Sequence, residues 1–154
     1  MHRGTILIDV TEHSLHRPDS EDDWRAYHLI RREVLFENRG RVGVYDENHP
    51  DEFAKGNHPL ILVYRSIPIG VIRVDVRDQV AWFRRVAVRR DLQRAGHGRV
   101  LLSLAENFAR EQSCYEVRSN VAIDAVAFYE RCGYSRGDAT LAGSESIHMV
   151  KRLV

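Results

Sequence analysis

The sequence is poor in the residues that mark secreted, membrane and fibrous proteins. Cysteine occurs twice, as Cys114 and Cys132, and two thiols do not form a disulfide framework. No apolar run approaches the roughly 20 residues that a membrane-spanning helix needs. The apolar stretch near the N-terminus is too short for a signal peptide, and Asp9 interrupts it early. We therefore expect a cytoplasmic protein with no membrane partner.

Lysine is also scarce, and the charges nearly balance. Only Lys55 and Lys151 are lysines among 23 basic residues, and the formal net charge is +1. A dedicated nucleic-acid binder needs a strong positive field, so no nucleic-acid partner is expected. The arginine bias can reflect the base composition of the genome. Arginine is nevertheless better suited than lysine to bidentate binding of phosphate.

What is present is typical of one globular domain over residues 1–154. The hydrophobic fraction is 44% and the charged fraction 29%, which are ordinary values. Hydrophobic spacing and turn residues predict a mixed α/β sheet. The predicted elements are a strand over 5–10, a helix from 24 to about 37, a loop over 41–59 with a short helix near Glu52, strands over 60–65, 69–77 and 80–88, a loop and then a helix after 89, a strand over 115–120, a helix over 122–131, and strands from 134 and over 147–154.

A glycine loop between a predicted strand and helix is the first candidate site. It has the sequence Gln93-Arg94-Ala95-Gly96-His97-Gly98. Free N–H groups and the positive dipole end at a helix start favour anions, and glycine lets the backbone approach a phosphate closely. The loop is neither a Walker A motif, which needs a following Gly-Lys-Ser/Thr, nor a G-x-G-x-x-G fingerprint. Taken alone, it could be a plain strand-to-helix turn.

Two segments in order resemble the GNAT superfamily of acetyl-CoA-dependent N-acetyltransferases. The glycine loop, with its valine-rich strand and leucine-rich helix, is similar to the superfamily pattern Q/R-x-x-G-x-G/A. Residues 125–134, AVAFYERCGY, are similar to the second pattern A-x-x-F-Y-E-x-x-G-F/Y. The resemblance implies a central, mostly antiparallel sheet of six to seven strands flanked by helices. It also implies acetyl-CoA as co-substrate without a metal, an unidentified amine acceptor and a possible homodimer.

The resemblance also implies roles for particular residues. Tyr129 would be the catalytic acid that protonates the departing CoA thiolate. The amides of Val86 and Val88 would bind the pantetheine arm and the thioester carbonyl, and polarising that carbonyl stabilises an oxyanion. Arg89 and Arg90 flank the loop as further phosphate ligands. The implied cofactor-binding residues are Val86, Val88, Gln93, Arg94, Ala95, Gly96, His97, Gly98, Arg99 and Asn120.

The sequence departs from the superfamily pattern in two places. Ala122 stands where many members have asparagine, and Asn120 lies two residues earlier. The strand that holds Val86 carries no carboxylate for a general base. The candidates by residue type are Glu33, Glu37, Asp75 and His58, although an acceptor that arrives as the free amine would need none.

Two other functions stay open at this point. A non-catalytic acyl-CoA-binding module would explain the missing base and Ala122. A nucleic-acid-binding domain could use the arginines at 84–99, and its affinity would then fall steeply with salt.

Overall fold

Seven strands form a single sheet in the part of the chain that the computed structural model describes, residues 12–143 and 145–154. The strands are β1 His13–His16, β2 Asn57–Tyr64, β3 Ile67–Arg77, β4 Val80–Val88, β5 Glu116–Ala122, β6 Ser135–Arg136 and β7 Ser146–Arg152. The helices are α1 Glu21–Arg31, α2 His97–Glu111 and α3 Val126–Arg131, with short 3₁₀ segments at Pro50–Phe53, Arg90–Leu92, Ile123–Ala125 and Ala139–Leu141. None of the described helices is both long and apolar enough to span a bilayer.

The strand order is β1-β2-β3-β4-β5-β7-β6. Every neighbouring pair is antiparallel except β4 and β5, which run parallel. The helix α2 makes the crossover that a parallel pair requires. The mixed, mostly antiparallel sheet predicted from the sequence is therefore confirmed.

Helices cover both faces of the sheet, because β2 and β3 carry apolar side chains on both sides. On one face, Ile61 and Val71 pack with Tyr27 and Ile30 of α1. On the other face, side chains such as Leu62 belong to a larger core shared with α2 and α3. Strands that are buried on both faces have nearly continuous hydrophobic sequences, as these two do.

The first helix differs from its prediction at the C-terminal end. The Ser20 hydroxyl caps its start by accepting a hydrogen bond from the Asp23 amide at 3.0 Å. The α-helix ends at Arg31 and continues as a π-helical turn, Arg32–Phe36, before a 3₁₀ turn that Gly40 ends with φ +79°. Helical periodicity predicted one continuous helix here, because single π turns are rare and occur inside α-helices.

Other element boundaries also differ from expectation. The strand predicted over 5–10 lies outside the described residues and stays a prediction. The strand β1 was not predicted, since His13–His16 has little β-propensity and depends on pairing with β2. Ala122 ends β5 rather than beginning a helix, and a 3₁₀ turn separates it from α3.

A buried carboxylate joins α2 to the C-terminal part of the sheet. Glu106 accepts hydrogen bonds from the Tyr134 hydroxyl at 2.7 Å and from the Lys151 ammonium at 3.0 Å. Lys151 also donates to the carbonyl oxygen of Cys132 at 2.9 Å. Because a buried carboxylate is costly without partners, this network favours one arrangement of α2, α3 and β7.

We predict that Tyr134→Phe lowers the free energy of unfolding by about 1.5–3 kcal/mol, the usual contribution of a hydrogen bond to a charged group. Urea unfolding at neutral pH measures this change. Tyr115→Phe is the matched control, because Tyr115 is 46% exposed and should change stability by less than about 0.5 kcal/mol. Equal, small losses in the two variants would contradict the role assigned to the network.

Candidate active site

The parallel pairing of β4 and β5 ends after three residues, and a cavity opens where it stops. Val80–Trp82 pair with Glu116–Arg118. The Ser119 hydroxyl then donates to the carbonyl oxygen of Phe83 at 2.8 Å. Beyond this link the two strands bound a cavity of about 890 Å³, which we call the β4–β5 cavity.

A β-bulge in β4 accounts for the separation of the two strands. On β3, Val71 and Arg73 are two residues apart, whereas their partners Ala87 and Arg84 on β4 are three residues apart. The extra residue accompanies a left-handed backbone at Arg85, with φ +57°. Because a bulge bends its strand and increases its twist, β4 turns away from β5 beyond this point.

Val88 presents its backbone to the β4–β5 cavity. The amide of Arg89 donates to the carbonyl oxygen of Ile69 on β3 at 2.8 Å. Neighbouring residues of an antiparallel strand alternate in direction, so the amide of Val88 faces away from β3. Its carbonyl oxygen accepts a hydrogen bond from the Gln93 side chain at 2.9 Å. Val86, Val88 and Gln93 all line the cavity.

The glycine loop closes the far end of the cavity. Gly96 stands at the N-cap of α2 with φ +94° and offers no side chain to the first amides of the helix. Those amides have no acceptor within the helix, and Gly96, Gly98 and Arg99 line the cavity. Gly98 has a second reason to be glycine. A Cβ there would lie 3.1 Å from the Phe128 ring, so α2 could not pack as closely on α3.

Two of the four arginines near the loop line the β4–β5 cavity. Arg94 and Arg99 do so. Arg89 forms an ion pair with Asp91 at 2.8 Å. Together with Arg90, it lines a separate cleft beside α1.

Tyr129 lies where the two strands separate. It is buried and lines the β4–β5 cavity beside Ser119. Burial raises the pKa of the phenol, and the neighbouring Ser119 side chain only partly opposes this. The hydroxyl is therefore protonated at neutral pH and can act as an acid. Sequence analysis did not identify Ser119, whose importance depends on the long-range contact with Phe83.

The remaining predicted cofactor residues differ in their surroundings. The His97 side chain is buried away from the cavity, with its Nδ1 atom 2.9 Å from Nε2 of His13. Ala95 does not line the cavity either, so Ala95 and His97 can contribute only backbone groups to a ligand. Asn120 does line it, but its amide nitrogen donates to the carbonyl oxygen of Leu141 at 3.0 Å and its Oδ1 atom lies 2.7 Å from His148 Nδ1.

An adjoining cavity of about 690 Å³ lies between the end of α1, the loop after it and the sheet. We call it the arginine-lined cavity. It shares Arg41, Phe83, Arg85 and Asn120 with the β4–β5 cavity. Its charged lining residues, apart from His49, are Arg31, Arg41, Asp46, Asp51, Glu52, Arg73, Asp75, Arg77, Arg84 and Arg85.

The four candidate bases do not meet at the junction of the two cavities. Asp75 lines the arginine-lined cavity but accepts two hydrogen bonds from Arg73, at 2.7 and 2.8 Å. Glu37 pairs with Arg32 at 3.5 Å. Glu33 lines the cleft beside α1, and His58 lies against the Phe108 ring of α2.

A different base, His28, is linked to the arginine-lined cavity by its hydrogen bond with Tyr45. The Tyr45 hydroxyl lies 2.5 Å from Nδ1 of His28, and Tyr45 lines the cavity. Burial and the nearby Arg31 lower the pKa of His28, so its imidazole is neutral at pH 7. A neutral imidazole bonded to a hydroxyl in this position can accept a proton. Sequence spacing did not indicate this pair, because its two residues are 17 positions apart in the chain.

Comparisons with known proteins give a family match and similar folds. The family model described as "Acetyltransferase (GNAT) family" matches residues 15–134. The chain is similar to a Lactobacillus plantarum protein assigned as an N-acetyltransferase, with 25% identity, a TM-score of 0.78, and coverage of 92% of this chain and 99% of that one.

Two structures with bound coenzyme A are similar in fold. PaiA N-acetyltransferase from Thermoplasma acidophilum, in complex with coenzyme A, has 18% identity, a TM-score of 0.70, and coverage of 92% and 99% of the two chains. Spermidine N-acetyltransferase from Vibrio cholerae, in complex with CoA and spermine, has 15% identity, a TM-score of 0.71, and coverage of 92% and 96%.

We predict that Gly96→Ala raises the KM for acetyl-CoA about tenfold. An alanine at φ +94° costs roughly 1 kcal/mol or more, and the loop can relieve that strain only by moving its amides. Steady-state kinetics at varied acetyl-CoA measure the change. Gly43→Ala is the control, because its φ of +76° is similar and a Cβ there meets nothing within 4 Å. An unchanged KM for Gly96→Ala would contradict the role assigned to the loop.

Proposed function

This chain belongs to the acetyltransferase (GNAT) family, and from that premise we propose that acetyl-CoA binds in the β4–β5 cavity. The reaction is transfer of an acyl group from acyl-CoA to an amine. One observation carries the proposed location. The strands β4 and β5, the only parallel pair among the described residues, open into a cavity. Gly96, the N-cap of α2, lies at one end of this cavity, and Tyr129 lies at the other.

The residues of the cavity suit the parts of the cofactor. The free amides at the start of α2, together with Arg94 and Arg99, match a diphosphate in charge and hydrogen bonding. The backbone of Val86 and Val88 supplies hydrogen-bonding groups for an amide-bearing arm. Backbone groups next to a cavity need partners, and β5 does not provide them beyond Trp82.

The cofactor supplies a thioester, and the amine attacks it directly. We assign Tyr129 as the acid that gives its proton to the departing sulfur. Burial raises the pKa of the phenol, and the same burial would raise the pKa of a thiolate formed beside it, because desolvation disfavours both anions. Ser119 lies beside Tyr129, and its own hydroxyl donates to the carbonyl oxygen of Phe83.

The acceptor amine would enter through the arginine-lined cavity, which meets the β4–β5 cavity at Phe83 and Arg85. The described residues offer no unpaired carboxylate at that junction. The Tyr45–His28 pair, which reaches the arginine-lined cavity through Tyr45, is the group that supports proton removal from the amine. The predicted cytoplasmic location, the lack of a nucleic-acid partner and the homodimer stay predictions.

We predict that the protein releases free thiol from acetyl-CoA only when a suitable amine is added. A thiol-reactive dye read against a broad panel of amines, with a no-amine blank, measures this. Binding of CoA is measured separately by calorimetry. Binding without release for any amine would favour the non-catalytic acyl-CoA module instead.

We predict that Tyr129→Phe lowers kcat about 100- to 10,000-fold, the range that positioned proton transfer contributes. The KM for acetyl-CoA should change little, because the ring and its packing against Phe128 and Tyr134 are kept. Tyr115→Phe, on the exposed surface, is the control and should keep full activity. Unchanged turnover in Tyr129→Phe would remove its role as the acid.

A further inference from the structure

The arginine-lined cavity has more positive than negative charge. Six arginines and four carboxylates line it. Several of these charges neutralise one another. Arg31 and Glu52 form a buried ion pair, and Asp75 pairs with both Arg73 and Arg84.

Three of the lining arginines, Arg41, Arg77 and Arg85, have no carboxylate partner among the residues that the structure describes. Arg77 instead donates hydrogen bonds to the carbonyl oxygen of Val76 and to Asn57 Oδ1, both at 2.8 Å. The guanidinium groups of Arg41 and Arg85 lie 5.0 and 5.3 Å from the centre of the Phe36 ring. Neither guanidinium group forms a hydrogen bond or an ion pair with another side chain of the described residues. The Phe36 ring therefore contacts two cations without cancelling their charge.

The surroundings of Arg85 disfavour its positive charge, and no carboxylate compensates for this. Desolvation, followed by the nearby cations Arg31 and Arg73, lowers the pKa of Arg85. Arg41 contributes in the same direction, and Tyr45 only partly opposes it. A cleft that concentrates charge of one sign raises the local concentration of oppositely charged ligands.

Arg41 and Arg85 also stand at the right place to act on a substrate. Both line the β4–β5 cavity and the arginine-lined cavity. Arg85 directly precedes Val86, which we assign to the acyl-CoA arm, and its left-handed backbone at the bulge sets its position on the strand. An anion bound there would lie close to the reacting amine.

We propose that Arg41 and Arg85 bind a carboxylate of the acceptor, so that the acceptor is an amine that also bears a carboxylate, as amino acids do. This inference rests on the proposed acyl transfer and specifies its acceptor class. A guanidinium pair suits a carboxylate because each can donate two parallel N–H groups. A polyamine, by contrast, would place cations beside two unpaired cations.

The anion could come from three sources, which the test separates. It could be a carboxylate on the acceptor, a phosphate on the acceptor, or a carboxylate on the acyl chain. Thiol release is therefore measured with amino acids against their carboxamides, with phosphorylated amines, and with acetyl-CoA against succinyl-CoA on a neutral amine.

We expect each accepted amino acid to have a kcat/KM at least tenfold above that of its carboxamide. Arg85→Gln should remove that preference by raising the KM for the amino acid about 10- to 100-fold, the effect of losing a charged hydrogen bond. The KM for acetyl-CoA should stay constant. Arg85→Lys should restore part of the preference, and Arg110→Gln, on the exposed face of α2, should have no effect.

Several results would overturn the proposal. These are equal use of amino acid and carboxamide, a preference confined to phosphorylated amines, or a preference for succinyl-CoA that Arg85→Gln removes. Binding is tested as well, by calorimetry of N-acetylamino acids and their amides against the CoA-loaded protein. If no amine releases thiol, the proposed acyl transfer fails, whereas weaker binding of the acid to Arg85→Gln than to the native protein would still support the anion site.

Discussion

The site depends on one interruption of backbone hydrogen bonding, the early end of the β4–β5 pair. A parallel pair that continued to Val88 would satisfy its own amides and leave no space between the strands. The bulge at Arg85 bends β4 away, and the Ser119–Phe83 bond fixes the point of separation. The unpaired strand edge then needs another partner, which we propose is the arm of an acyl-CoA.

Each group around this opening suits one charged part of the proposed reaction. At one end, glycine at the N-cap leaves the amides of α2 available for an anion. At the other, the buried Tyr129 holds a proton beside the position proposed for sulfur. Two unpaired guanidinium groups on Phe36 lie at the entrance from the arginine-lined cavity. These features therefore match, in turn, the diphosphate, the departing sulfur and the bound anion of the proposed acyl transfer.

Much of this architecture could be predicted from the sequence. Local patterns identified β4, the glycine loop and α2, and the second motif placed Tyr129 on α3. The bulge at Arg85, the π turn before Phe36 and the Ser119–Phe83 bond could not be predicted, because they depend on contacts between distant segments. Gly98 shows the difference well. The loop pattern explained it by phosphate binding, whereas its contact with Phe128 is a tertiary packing constraint.

The most direct test of this account is a crystal structure of the protein with coenzyme A bound. We expect the pantetheine arm between residues 84–88 of β4 and 119–122 of β5, the diphosphate at the amides of residues 96–99, and the sulfur within hydrogen-bonding distance of the Tyr129 hydroxyl. Coenzyme A bound in the cleft beside α1, against Arg89 and Arg90, with the β4–β5 cavity left to solvent, would contradict the account.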